Sequence, residues 1–393
     1  MNEINTSLIV KWLRLPMALL VIFIHMNPHL QANFIEISEI QWDNITINSV
    51  YSIIGVFLNN LTSVAVPFFF FTAGYYFFLN TEKIDKETYK GKIKKRLKTL
   101  FVPYILWNLL AVLLLILRGL YQIYVLKIPI ESIGNDCITF DIISTISNIP
   151  TFFWNYFTIA DNNALNLIGL SSSLSAPINI PLWFLRDLII LSIISPLIFI
   201  AIKYLRYWFL TILLVAFVLN IETLPGVNVK GLFFFSFGCY LAINKRDLLK
   251  SFNKHKWTIL VSLMLLIVLV AIDSKIISTS IRHIYQVLAI IAVFPLAKSI
   301  SAKTKKINIS ILKYSNASFF VYAIHTIPFF IITSPRGLAN LIIDKVLFTN
   351  HYGGGEIISY ILTPLLCLGL CIAIYNLLKH FAPKILYMLT GGR

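Results

Sequence analysis

The segment KWLRLPMALLVIFIHMN, residues 11–27, decides how the rest of the chain is interpreted. It is an apolar run typical of a membrane-spanning helix, and it carries Arg14 near one end and His25 near the other. Eleven helical residues turn through about 1100°, so both side chains are expected on one face, about 16 Å apart along the axis. Ionisable groups inside a spanning helix are costly and often mark a functional site. The structural alternative is an Arg14 that snorkels to the interface and an interfacial His25.

The composition of the chain is that of an integral membrane protein. Of its 393 residues, 58% are hydrophobic and 13% are charged, and the mean hydropathy is +0.80. These values exclude an ordinary soluble protein. In a soluble chain a net charge of +16 would indicate a nucleic-acid partner, but here the charge lies between apolar runs and we predict no such partner. The chain has four cysteines: Cys137, Cys239, Cys367 and Cys371. Their spacing fits neither a disulfide framework nor a zinc site, so no metal is predicted.

Ten apolar runs approach the length of about 20 residues that a helix needs to cross a bilayer. They lie near residues 8–28, 52–79, 99–118, 181–202, 207–221, 230–244, 257–273, 283–300, 314–332 and 357–378. We therefore predict an all-α integral membrane protein with about ten transmembrane helices. Most of the 33 Lys and Arg residues fall on one side of these runs, which by the positive-inside rule predicts that both termini are cytoplasmic.

A basic cluster, KKRLK at residues 94–98, directly precedes the third apolar run. Attraction to anionic lipid and control of topology explain most such clusters. Lys95, Arg96 and Lys98 also suit the phosphates of a nucleotide-like ligand on the cytoplasmic side. Both interpretations stay open from the residues alone.

The longest polar insert covers residues 119–180 and is too long for a simple connection, so we predict an external lid or acceptor-binding element. The fourth run opens just after it with Trp183, Arg186 and Asp187 at helical i, i+3, i+4 spacing. Arg186 and Asp187 form either a structural ion pair or part of a binding site.

The ninth run contains a polar stripe. Ser318, Tyr322 and His325 follow i, i+4, i+7 spacing and so share one helix face. His325 is a second intramembrane histidine at a depth similar to that of His25. Two such groups on separate helices predict a shared polar cavity.

Taken together, these motifs resemble the membrane acyltransferase family 3, which includes bacterial O-acetyltransferases of surface polysaccharides. The resemblance covers about residues 8–380. It rests on Arg14 and His25 with ten residues between them, VPFFFFTAGY at 66–75, PLWFL at 181–185, and the stripe Ser318, Tyr322 and His325.

The resemblance implies a single membrane acyltransferase domain over residues 1–393, in the bacterial cytoplasmic (inner) membrane. It implies an O-acyltransferase that moves an acyl group, most often acetyl, from cytoplasmic acetyl-CoA to a hydroxyl of an external glycan or lipid-linked sugar. The functional Arg and His of the family's first span carry over to Arg14 and His25. Ala73 stands where a serine often precedes the Gly-Tyr of the family, so no hydroxyl role is expected there.

On this basis we predict a role for each candidate. His25 is the general base on the acceptor hydroxyl, or carries the acyl group as an acyl-histidine. Arg14 contacts a phosphate of the donor or orients its pantetheine arm, and His325 and Tyr322 either support the catalytic side chains or contact the oxyanion. The remaining candidates hold CoA phosphates (Lys95, Arg96 and Lys98, where the family usually has arginines) or the acceptor (Trp183, Arg186 and Asp187).

The competing hypothesis is a proton-coupled transporter or glycan flippase, in which the same buried Arg and His serve proton coupling. Ten spans with internal charges fit that class too. The sequence shows no internal repeat between its halves and no matched pair of broken helices, which favours the acyltransferase.

Overall fold

A computed structural model describes residues 5–26, 34–128, 150–155, 176–221, 226–272, 275–303, 305–327, 334–347 and 355–392. Regular structure within these ranges is helical. Most of the predicted 119–180 loop, and Cys137 with it, lies outside the described residues.

The α-helices are labelled in chain order. Their bounds are α1 Thr6–Ile24, α2 Ile47–Thr62, α3 Ala65–Phe78, α4 Lys86–Arg96, α5 Val102–Leu120, α6 Trp183–Ile193, α7 Ser195–Leu205, α8 Tyr207–Val218, α9 Val229–Ile243, α10 Leu248–Asn253, α11 Trp257–Ala271, α12 Lys275–Lys303, α13 Lys305–Tyr314, α14 Ser318–Ile324, α15 Pro335–Leu347, α16 Gly355–Phe381 and α17 Pro383–Thr390. A π-helical turn, Leu97–Phe101, joins α4 to α5.

Five helical stretches of the described chain are long and apolar enough to cross a membrane. They are Thr6–Ile24, Ile47–Phe78, Lys86–Val125, Ile277–Lys303 and Gly355–Phe381. A sixth is formed if α6 and α7, bent by 64° at their junction, count as one span. The all-helical, multi-pass architecture is therefore as predicted, whereas the count of ten and the side of the termini stay predictions.

The two ends of the helical bundle are defined by contacts between distant segments. Thr6, at the start of α1, donates its hydroxyl to Asp247 at 2.8 Å. Glu82, after α3, pairs with Lys245, after α9, at 2.7 Å. The start of α1 and the ends of α3 and α9 thus lie together, and we call this the basal end. His25, which follows α1, lies toward the opposite, distal end.

Helices α3 and α9 are in backbone contact. A Cβ on Gly74 would lie 2.0 Å from the carbonyl oxygen of Phe235, and one on Gly238 would lie 2.0 Å from that of Phe71. Small residues at such interfaces allow close approach of membrane helices, which associate through packing rather than through a hydrophobic driving force. This contact holds the aromatic core of the bundle in place.

Helix α1 lies in the interior of the bundle. Ile9, Val10, Ala18 and Ile22 are each at most 1% exposed, and α1 packs against α2, α3, α14 and α16. Arg14 and His25 are both partly buried, so they meet other helices, whereas Lys11 is exposed.

Candidate functional site

Two histidines meet near the distal end of α1. His25 is the C-cap of α1, and His325 is the C-cap of α14. Their ring centroids are 5.0 Å apart, with the planes inclined at 56°. His325 is fully buried, whereas His25 is partly exposed. We call these two side chains the histidine pair.

The surroundings of His325 define its tautomer. Its Nδ1 lies 3.0 Å from the carbonyl oxygen of Tyr322 and 3.2 Å from that of Val321. Carbonyl oxygens only accept hydrogen bonds, so Nδ1 carries the proton in the neutral ring. Nε2 is buried and has no hydrogen-bond partner among the described residues. It therefore keeps a free lone pair, as a general base requires.

Arg336 binds the backbone of both histidines. Its guanidinium Nη1 donates to the carbonyl oxygen of His25, and its amide donates to that of His325 at 3.1 Å. It is the second residue of α15. The sequence analysis missed Arg336 because its partners are backbone carbonyl oxygens, and every residue has one, so no sequence motif marks the contact. The one available signal was an arginine close after the helix that carries His325.

A cavity of about 210 Å³ lies between the helices on the basal side of the histidine pair. Arg14 and Arg96 both line it, so we call it the arginine cavity. The remaining lining residues are polar (Thr72, Tyr76, Ser315, Asn316, Ser318 and Tyr322) or apolar (Phe69, Ala73, Leu100, Phe184, Leu185, Leu188 and Phe319). Two arginines that were singled out from different motifs thus share one compartment.

The basic cluster contributes unequally to this cavity. The Arg96 guanidinium lies 5.2 Å from the ring centroid of Phe77, and Arg96 reaches the cavity wall. Lys95 and Lys98 are exposed and are absent from the lining. The Nζ of Lys98 lies instead 5.7 Å from the ring centroid of Tyr387. Arg96 is therefore the member of the cluster placed to reach into the bundle.

Helix α14 joins the cavity to the histidine pair. Ser318 and Tyr322 line the cavity, and His325 follows Tyr322 by about one turn. The Tyr322 hydroxyl donates to the carbonyl oxygen of Pro181. This hydrogen bond fixes the Tyr322 ring between the arginine cavity and the histidine pair. Helix α1 repeats the arrangement, with Arg14 at the cavity and His25 in the pair. The polar faces predicted on α1 and α14 therefore both run from the arginine cavity to the histidine pair.

Arg186 and Asp187 form a buried ion pair away from the cavity lining. Arg186 Nε donates to Asp187 Oδ1 at 2.9 Å, and the side chains are 5% and 1% exposed. Arg186 also donates to the carbonyl oxygen of Trp154, and its guanidinium lies 5.2 Å from the Trp154 ring centroid. Trp183 packs against Phe70 with ring centroids 6.2 Å apart. This geometry favours the structural interpretation, and an acceptor-binding role for these residues stays a prediction.

Metal ligands do not gather in the described part of the chain, where no group of three or more His, Cys, Asp or Glu side chains is placed to hold an ion. The predicted absence of a metal stays a prediction.

Comparison with known proteins identifies the family. No curated protein and no solved structure matches the chain. A family model described as an acyltransferase domain matches residues 8–376. The match spans nearly the whole chain and contains the histidine pair, the arginine cavity and Arg336. The chain therefore belongs to the membrane acyltransferase family 3.

Proposed function

We propose that this protein is a membrane O-acyltransferase with a cytoplasmic acyl-CoA donor, acetyl-CoA first among them, and an external acceptor hydroxyl on a glycan or lipid-linked sugar. One observation carries the proposal. Helix α1 presents Arg14 to the arginine cavity, α14 presents Ser318, Phe319 and Tyr322 to it, and each helix ends in one member of the histidine pair. This arrangement supports a donor site in the arginine cavity and a reaction site at the histidine pair.

The arginine cavity supports the donor side of the proposal. Phosphates bind well to arginine because its fork of N–H groups makes paired, charge-assisted hydrogen bonds. Arg96 would hold a CoA phosphate at the wall, while the narrower pantetheine arm enters beside Arg14. Lys95 and Lys98, which are exposed, would contact the outer phosphates as point charges.

The histidine pair supports the chemistry. A neutral histidine would take the proton of the acceptor hydroxyl as that oxygen attacks the thioester carbonyl. The C–S bond then breaks, and the CoA thiolate takes that proton from the histidine, which returns to its neutral form. His325 has its Nε2 lone pair free, which makes it as good a candidate for the base as His25. An acyl-histidine intermediate on either ring is the alternative route.

A proton-coupled transporter or flippase is the second candidate, because adjacent histidines inside a membrane protein also suit proton transfer. Binding of CoA distinguishes an acyltransferase from a transporter or flippase. An acyltransferase is stabilised against heat by CoA, since a ligand that binds only the folded state shifts unfolding. A glycan flippase has no CoA site, so CoA is not expected to change its thermal stability.

The experiment is release of free thiol from acetyl-CoA by the purified protein in nanodiscs, with a panel of glycan acceptors. We expect His25→Ala and His325→Ala to lower the rate by about 10²–10⁴-fold, the usual contribution of acid–base catalysis. His380→Ala is the matched control, because His380 is exposed in the last turn of α16. Wild-type rates in both histidine-pair variants would refute the proposed chemistry. No thiol release and no stabilisation by CoA would favour transport.

A further inference from the structure

Two buried asparagines contact the helix that carries His325, either directly or through each other. Asn108 is on α5, and Asn179 precedes the 3₁₀-helical turn Ile180–Leu182 that leads into α6. They are 0% and 2% exposed. A buried amide inside a membrane protein is costly unless it is hydrogen-bonded, because the bilayer core offers no water. The bonds of these two side chains therefore indicate what they do.

Asn179 joins α5 to α14. Its backbone amide donates to Asn108 Oδ1 at 3.2 Å, and its Nδ2 donates to the carbonyl oxygen of Ala323 at 3.1 Å. Asn108 uses its own Nδ2 within α5, on the carbonyl oxygen of Tyr104 at 2.8 Å, which fixes its orientation. Asn108 thus orients Asn179, and Asn179 in turn contacts the last turn of α14.

The bond to Ala323 completes the end of α14. The last carbonyl oxygens of a helix have no intrahelical donor and need partners from elsewhere. In α14, the amide and Nδ1 of His325 bond to two of them, and that of Ile324 accepts from the amide of Ile327 at 3.0 Å. Ala323 lies two residues before His325, and Asn179 supplies the donor for its carbonyl oxygen.

Asn179 and Arg336 hold α14 from different parts of the chain. Arg336 donates its amide to the carbonyl oxygen of His325 at 3.1 Å, and Asn179 donates to the carbonyl oxygen two residues earlier. The Tyr322 hydroxyl donates back to the carbonyl oxygen of Pro181, so reciprocal hydrogen bonds join α14 to the segment before α6. The position of the last turn of α14, and with it that of His325, depends on these contacts.

Stability alone does not explain an asparagine at residue 179. Asn179 Oδ1 is buried and has no hydrogen-bond partner among the described residues, and an unpaired buried acceptor destabilises a fold. A leucine of similar size would remove this oxygen but would leave the carbonyl oxygen of Ala323 without its donor, so we expect the two effects to offset each other. What the asparagine adds is the donor to α14.

We propose that Asn179 is a positioning residue, which acts through α14 to hold His325 in place for acyl transfer. The inference rests on the proposed function, because His325 is one of its two candidate bases. Asn179 does not line the arginine cavity, so its effect is expected on the rate of transfer and not on binding of the donor.

The test measures thiol release from acetyl-CoA by the full chain in nanodiscs, for Asn179→Leu and for the smaller variant Asn179→Ala. We expect kcat to fall about 10–100-fold, as a small misplacement of reacting groups causes, while KM for acetyl-CoA and the Tm of Asn179→Leu stay near the wild-type values.

Asn60→Leu is the matched control. Asn60 is 1% exposed and its Oδ1 is also unpaired, but its Nδ2 donates within its own helix, to the carbonyl oxygen of Val56 at 3.0 Å. The control variant should keep the wild-type kcat. An equal loss of kcat in Asn60→Leu would show a general effect of removing a buried amide, and would overturn the proposal.

Two further measurements separate positioning from a general structural role. In a His325→Ala background, Asn179→Leu is expected to lower the rate no further, because a residue that acts through His325 then has nothing left to position. Hydrogen exchange of the amides of residues 319–327 should be faster in Asn179→Leu than in the wild type, because the last turn of α14 has lost a bond.

Two results would overturn the proposal outright. They are an unchanged kcat in both Asn179 variants, and a loss in the His325→Ala background as large as that in the wild type. A wild type that releases no thiol would instead refute acyl transfer itself. Hydrogen exchange would then decide the contact alone: unchanged exchange of residues 319–327 in Asn179→Leu would contradict it, and faster exchange would support it.

Discussion

The imidazole rings of His25 and His325 lie 5.0 Å apart, although α1 and α14 are separated by most of the chain. Each helix supplies one histidine, so the pair forms only when α1 and α14 pack together. Arg336 contacts the carbonyl oxygens of both and so couples the position of one histidine to that of the other.

Arg336 is expected to act as a positioning residue. Arg336→Gln removes the guanidinium that holds the His25 carbonyl, so kcat for thiol release should fall by about 10²-fold, the loss that a small misplacement of reacting groups causes. Arg336→Lys keeps one charged donor and should restore part of the rate. KM for acetyl-CoA should stay near the wild-type value, because Arg336 does not line the arginine cavity. Arg246→Gln, at an exposed arginine, is the control. An unchanged kcat in Arg336→Gln would contradict the prediction.

Arg96 and Lys95 are neighbours in sequence but differ in placement. Arg96 lines the cavity, whereas Lys95 is exposed. Arg96→Gln should raise KM for acetyl-CoA about tenfold by removing a charge-assisted contact. Lys95→Gln should change KM by less than about threefold, since exposed ion pairs contribute little. Steady-state kinetics over a range of acetyl-CoA concentrations measures both. Equal effects would place the CoA phosphates outside the cavity.

The buried pair of Arg186 and Asp187 is expected to matter for stability. Asp187→Asn leaves Arg186 without its counter-ion, and breaking a buried pair in this way costs about 3–5 kcal/mol. The Tm in detergent should fall clearly, while the rate per folded molecule stays close to that of the wild type. Glu82→Gln is the matched control, because it breaks the exposed pair with Lys245, and its Tm should change little. Loss of activity at full stability would instead favour a direct role for Asp187.

Gly74 is expected to tolerate no side chain. The Cβ of Gly74→Ala would lie 2.0 Å from the Phe235 carbonyl oxygen, so α3 and α9 would have to separate and the Tm should fall. Gly369→Ala is the control within a membrane helix, because a Cβ there meets nothing within 4 Å. Its stability should be unchanged or slightly higher, since alanine is the better helix former. A Tm for Gly74→Ala equal to that of the control would show that the two helices are not in backbone contact.

Helical periodicity was sufficient to select residues that the structure brings together at the candidate site. It placed Arg14 with His25, and Ser318 with Tyr322 and His325, on common faces. It also predicted that the two histidines would share a cavity. Periodicity carries no information on which face meets which helix, so it did not separate the histidine pair from the arginine cavity. The contacts of Arg336 depend entirely on tertiary packing.

Hydropathy was less successful at describing the helices themselves. The predicted span at 181–202 is two helices, α6 and α7, bent by 64°. Pro196, in the first turn of α7, lacks the amide that would continue the helix, and its ring clashes with the preceding turn. A scan for apolar runs averages over such a residue. The basic cluster was treated as one unit because its charges are adjacent in sequence, although only Arg96 of the three candidates lines the cavity.

The glycine contact between α3 and α9 also has a consequence for biogenesis. A chain made from its N-terminus presents α3 to the bilayer well before α9 has been synthesised. Until then the surface of α3 around Gly74 has no protein partner, and lipid or an insertion chaperone has to cover it. Close docking of the two backbones is therefore a late step of assembly, which can begin only after Phe235 and Gly238 of α9 have been made.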